Sequence, residues 1–96
     1  MGAGGVPNRI IKVIEGKRGD LPTKVADYNS RYDLYVDGKK VQSRWFDFEG
    51  NVVWNRDYDH QDSHNNHKFP HDHKWVWKNG HPDRKKDISP DYRKFK

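Results

Sequence analysis

From Tyr32 to Tyr58 hydrophobic and polar residues keep a two-residue rhythm, and two glycine turns cut that rhythm into three pieces. Tyr32, Leu34 and Val36 alternate with polar residues as far as Asp37-Gly38, and Val41, Ser43 and Trp45 follow on a second run. Glu49-Gly50-Asn51 interrupts again, after which Val52, Trp54, Arg56 and Tyr58 alternate with Val53, Asn55, Asp57 and Asp59. A period of two is that of a strand, whose successive side chains leave opposite faces. Asp-Gly between two such runs signals a hairpin, because glycine takes the positive φ that tight hairpin turns require. The pattern predicts a three-stranded antiparallel meander over Tyr32–Val36, Val41–Phe48 and Val52–Asp59. Asp57 and Asp59 fall on one face of its last strand and Trp54 and Tyr58 on the other, so one face can pack while the other presents carboxylates.

The rest of the chain is arranged around this meander. Three glycines among the first five residues leave nothing to pack, so 1–8 reads as a flexible leader and 9–96 as one small domain. Arg9–Ile14 is β-branched and bounded by the turn-rich Gly16–Asp20, which predicts a first strand. Leu21–Ser30 is open to two readings: Pro22 can begin a short helix through Tyr28, or the segment is a loop. His60–His73 is too rich in His, Asp, Asn and Ser for a core, and Pro70 argues against a helix, so a loop is expected. Lys74–Lys78 returns as a short strand near the sheet edge, with Trp75 and Trp77 on one face, ended by Asn79-Gly80. Ser89 before Pro90 predicts one helical turn at Asp91–Phe95. The expected class is α+β, mostly β: a small antiparallel meander of three to five strands with a His-rich loop and little helix. Aromatic residues make up 14% of the chain, enough for a core of large rings, in which Trp45, Trp54, Trp75 and Trp77 are expected.

No cysteine is present, which removes disulfides, thiolate zinc sites and cysteine nucleophiles together; any metal must use His, Asp or Glu. No apolar run approaches the ~18 residues of a membrane span, and no signal-peptide core is visible. The net charge of +5 is unevenly spread. Asp57–His73 holds one Lys against four Asp and five of the six histidines, whereas Lys74–Lys96 holds eight Lys or Arg against three Asp. A cation-binding, His-rich segment therefore abuts a basic tail suited to phosphate, with Lys74, Lys78, Arg84, Lys85 and Lys86 as the contacts. The competing reading is a solvated surface whose charge aids solubility.

Within 17 residues, Asp57-x-Asp59-His60, His64, His67 and Pro70-His71-Asp72-His73 gather candidate metal-ligating and acid–base groups. His71 and His73 are two apart, so in extended chain both rings project the same way, and Asp57 and Asp59 share that spacing. A mixed nitrogen and oxygen set suits a divalent ion: zinc, manganese, nickel or magnesium. Two histidines can also act without an ion as general base and general acid, which suffices for RNA cleavage through the 2′-hydroxyl. The third reading is non-catalytic surface histidines.

The stretch Tyr32–Trp77 resembles the C-terminal tip domains of bacterial polymorphic toxins, of the YD-repeat effector type, with related segments in phage head-morphogenesis-like proteins. The residues that carry the resemblance are Trp45-Phe46-Asp47 with Gly50, Arg56-Asp57-Tyr58 with His60, and Phe69-Pro70-His71-Asp72-His73 with Trp75. It implies a detachable effector module, exported as part of a larger parent chain without a signal peptide of its own. Such a module acts in the cytoplasm of a competing cell and is held in check by an acidic immunity protein. The leading expectation is a monomeric, metal-assisted nuclease acting on RNA or DNA. Asp57, Asp59, His71 and His73 would hold the ion, with His60, His67, His71 and His73 as catalytic candidates. The alternatives are a non-enzymatic, metal-stabilised binding or assembly module and a metal-free, His-dependent ribonuclease.

Overall fold

The computed structural model describes residues 9–58 and 70–96. They form six strands: β1 Ile10–Glu15, β2 Ser30–Val36, β3 Lys39–Phe46, β4 Val52–Asp57, β5 His71–Lys78 and β6 His81–Ile88. All six lie side by side in chain order in one sheet. The predicted meander is β2–β3–β4, with Asp37 and Gly38 both at positive φ in its first turn, as a type I′ hairpin requires. In the second turn the Asp47 side chain accepts from the Glu49 and Asn51 amides. Gly50 sits there at φ 82° with the Val25 carbonyl where a Cβ would be, so only glycine fits.

Several expectations need correction. The sheet has six strands rather than three to five, and it is mixed, because β1 runs parallel to β2. The fold is mostly β with little helix, as expected; among the described residues there is no helix at all, so the α+β class reduces to β, and none is long and apolar enough to cross a membrane. Parallel pairing needs a crossover. Residues 16–29 supply it in irregular form, pinned to the β3–β4 turn by Val25 N to Gly50 O and Val52 N to Thr23 O, both 2.9 Å. Those bonds leave no room for the helix that Pro22 could have begun. Asn79-Gly80 ends the strand at Lys78 as expected, but as a hairpin turn with both residues at positive φ, and β6 follows as the edge. His71–His73 belongs to β5 instead of a loop, and all three residues are buried.

Both faces of the sheet are covered, where one was expected to be open. On the first, Leu21 from the crossover packs with Tyr32, Leu34, Val41, Phe46 and Val52, and Trp75 and Trp77 lean against this cluster. On the second, the C-terminal residues fold back. Phe95 stacks on Trp54 at 4.4 Å between ring centroids and meets Trp45 edge-on at 5.6 Å. Beneath them Arg56 is paired with Asp72, Nε to Oδ1 at 2.7 Å and Nη2 to Oδ2 at 2.9 Å. The Arg56 guanidinium lies between the Trp45 and Tyr92 rings. Asp72 also accepts from Trp54 Nε1 and from the Asp91 amide. The expected turn at Asp91–Phe95 is present as a single Phe95 N to Asp91 O bond. Asp91, rather than Ser89, caps it, accepting from the Arg93 and Lys94 amides.

Candidate metal centre

The register of β4 on β5 sets Asn55 beside His73 and Asp57 beside His71. Because alternate residues share a face, His71, His73 and Asp57 emerge together, with Asn55 and Trp75 next to them. His71 Nε2 lies 3.2 Å and His73 Nε2 3.3 Å from the same carboxylate oxygen, Asp57 Oδ2. The two rings stand edge-to-face with centroids 4.9 Å apart. One ligand atom from each residue falls within 4.8 Å of the others, and all three residues are buried, so the group could hold a metal ion. Two imidazoles and a carboxylate form a donor set of the kind that binds zinc and its neighbours.

Neighbouring side chains hold these three in place. Asp57 Oδ1 accepts from Gln42 Nε2 at 2.8 Å and Asn55 Nδ2 at 3.3 Å, leaving Oδ2 for the histidines. Asn55 in turn accepts from Trp75 Nε1. The Lys85 carbonyl on β6 lies 2.8 Å from His73 Nδ1. A carbonyl only accepts, so Nδ1 carries a proton, and in the neutral ring Nε2 then bears a lone pair aimed at Asp57 Oδ2. Two acceptors facing each other at 3.3 Å call for a positive charge between them, a proton or a metal ion. A backbone carbonyl on the far nitrogen is also the usual partner of a metal-bound histidine.

Without a metal, burial is the largest influence on Asp57 and acts to raise its pKa. Hydrogen bonds from His73 and Gln42 and the charges of both histidines outweigh it, so the carboxyl sits below its ordinary 3.8. The Asp57 hydrogen bond is the main cause raising His73 above 6.5, opposed by burial and aided by the Lys85 carbonyl.

Beside Asp57 opens a cavity of about 220 Å³ whose lining includes Arg18, Gln42, Arg44 and Arg84. Arg18 is carried by the turn Lys17–Asp20, closed by Asp20 N to Lys17 O, with Gly19 at φ 94°. Arg44, from β3, donates through Nη1 to the Leu21 and Pro22 carbonyls and lies over the Trp75 ring. Burial pulls its pKa down to about 10; Arg84 adds to the shift and Asp57 opposes it.

Of the candidates drawn from sequence, Asp57, His71 and His73 converge; Asp59, His60 and His67 lie outside the described residues. The five basic candidates are all exposed but do not form one surface. Arg84 pairs with Trp75 and reaches the cavity. Lys74 and Lys78 alternate with Trp75 and Trp77 and so take the opposite face. The Lys85 ammonium is bound to Asp83 at 2.7 Å. The tryptophans are engaged in the fold: Trp45 is 1% exposed, and the indole nitrogens of Trp54, Trp75 and Trp77 donate to Asp72, Asn55 and the Val52 carbonyl. Arg18, Gln42, Arg44 and Asn55 escaped the sequence reading. The one available signal was Gln42 and Arg44 in phase with each other on a predicted strand, where a period of two gives them a shared face. Comparison of the chain with protein-family models, curated proteins and solved structures finds no match in any of the three.

Proposed function

We propose that this chain is a metal-assisted phosphodiesterase of the toxin-effector kind, with Asp57, His71 and His73 holding the ion. The observation that carries the reading is the convergence of both Nε2 atoms on Asp57 Oδ2, with His73 Nδ1 committed to the Lys85 carbonyl. Two nitrogens to one oxygen favour zinc, nickel or manganese over magnesium, which prefers an all-oxygen shell. A bound ion would supply Lewis acidity to a phosphate and lower the pKa of water. Gln42 and Asn55 fix the carboxylate, Lys85 fixes the His73 ring, and the arginines beside Asp57 offset phosphate charge. RNA and DNA both present such phosphates. On this reading the domain is delivered into a competing cell as part of a larger chain and blocked by an acidic immunity protein.

Burial of all three ligands favours a second reading, an ion that stabilises a non-enzymatic binding or assembly module. Elemental analysis of the purified protein, with cleavage of labelled RNA and DNA before and after chelation, separates the readings. Cleavage that needs the ion and is lost in Asp57→Asn supports the phosphodiesterase. Chelation that unfolds a protein without cleavage activity supports the structural ion, and RNA cleavage indifferent to chelator points to a metal-free histidine pair.

A further inference from the structure

β2, β3 and β4 carry one arginine each, and two of these have carboxylate partners: Arg31 on Asp33 and Arg56 on Asp72. Arg44 is 8% exposed, makes no salt bridge among the described residues, and keeps a buried Nε without a hydrogen-bond partner. A guanidinium offers five donors in a fixed fork, and the two carbonyl bonds of Arg44 both use Nη1. A buried cation this short of acceptors is under-satisfied by its own protein. It lines the cavity together with Arg18 and Arg84, against a single carboxylate, Asp57. The cavity, about 220 Å³, falls below the roughly 300–1,000 Å³ of pockets that engulf drug-sized molecules. It suits one small, highly charged group rather than a base or a sugar.

We infer that this cavity binds a single phosphoryl group, with Arg44 and Arg84 as its main donors and Arg18 adding charge from the Lys17–Asp20 turn. Guanidinium forks match phosphate oxygens in pairs, which a lysine cannot do. The inference rests on the phosphodiesterase reading in one respect: the phosphate is taken to be one of the substrate's, seated next to Asp57. That carboxylate belongs both to the candidate metal centre and to the cavity wall, so a phosphate here adjoins the site of attack.

The test is calorimetric titration of inorganic phosphate into the purified full chain, without chelator, at neutral pH in chloride buffer. The expected result is saturable binding at one site, weakened roughly tenfold in Arg84→Gln, the worth of one charge-assisted contact, and unchanged in Lys94→Gln. Arg84 is exposed on the edge strand, so its variant keeps the fold. Arg44→Lys, which retains charge and loses the fork, should weaken binding similarly; its far-UV dichroism reports whether it is folded. No saturable binding, or equal weakening by Lys94→Gln and Arg84→Gln, overturns the inference. The two readings also fail separately. Phosphate binding sensitive to Arg84, with no cleavage under any ion, leaves the pocket and removes the phosphodiesterase. Ion-dependent cleavage indifferent to both arginine variants does the reverse.

Discussion

Asp72→Asn should be the most damaging single-atom change in the described fold. Asp72 is fully buried and accepts four hydrogen bonds, two from Arg56 and one each from Trp54 Nε1 and the Asp91 amide. Three of these end on Oδ2 and only Arg56 Nε on Oδ1, so asparagine would turn its amide group toward Arg56 Nε, donor against donor. The larger loss is charge, because Arg56 would remain in the interior without a counter-ion. Removing one partner of a buried pair destabilises by about 3–5 kcal/mol, against a total of roughly 5–14 kcal/mol for a chain of this length. At about 4–8 °C per kcal/mol for a domain of this size, the midpoint should fall by at least about 12 °C. Thermal and urea unfolding followed by circular dichroism measure this. The double variant Arg56→Met, Asp72→Leu, which removes the charges together, should recover much of the loss. A shift below about 4 °C for Asp72→Asn would refute the reasoning, since it would mean that solvent reaches Arg56 and the C-terminal residues do not seal that face.

His71→Ala and His73→Ala should each weaken zinc binding by at least about tenfold, read by competition with a chromophoric chelator, because each removes one of three ligands. In the metal-free protein, Asp57 has a lowered pKa, so its stabilising contribution is present above 3.8 and lost as pH falls through the lower folded value. His73 has a raised pKa, so its contribution is complete below 6.5 and lost as pH rises through the higher folded value. Stability by urea unfolding should therefore peak between these limits and decline on both sides, and a profile in Asp57→Asn as steep as wild type would contradict the assignment. Gly50→Ala should destabilise by more than the about 1–3 kcal/mol of a forced positive φ, because its Cβ would also meet the Val25 carbonyl. Chemical denaturation measures it, and a change below 1 kcal/mol would mean that the crossover is not docked on this turn.

The meander was legible because its signals are local: Asp37-Gly38, Gly50 and a strict period of two. Asn79-Gly80 carries the same turn signal, yet β6 reads His-Pro-Asp-Arg-Lys-Lys-Asp-Ile, without alternation. An edge strand exposed along nearly its whole length has no core face to write a pattern into its sequence, and its charges and Pro82 suit an edge. The parallel pairing of β1 is equally silent, since periodicity does not name a partner. His71–His73 looked like loop because composition records polarity and not pairing; these residues are buried because Asp57 and Arg56 on β4 meet them. Asp57, His71 and His73 could be nominated from spacing, whereas the arginine cavity joins the Lys17–Asp20 turn, β3 and β6, a convergence that only the tertiary fold creates.

Pairing in chain order also has a kinetic consequence. The bonds that build the metal centre and its support span at most 20 residues, so closing β3 on β4 and β4 on β5 joins residues near one another in sequence. The contacts that seal the second face reach much further: Arg56 to Asp91 and Phe95 across 35 and 39 residues, and Arg31 to Lys96 across 65. Loop-closure entropy rises with separation and long-range contacts form more slowly. The histidines and Asp57 should thus meet early, in a chain whose Trp45 and Trp54 are still waiting for Phe95, and a late step in tryptophan fluorescence should report the arrival of the C-terminal residues.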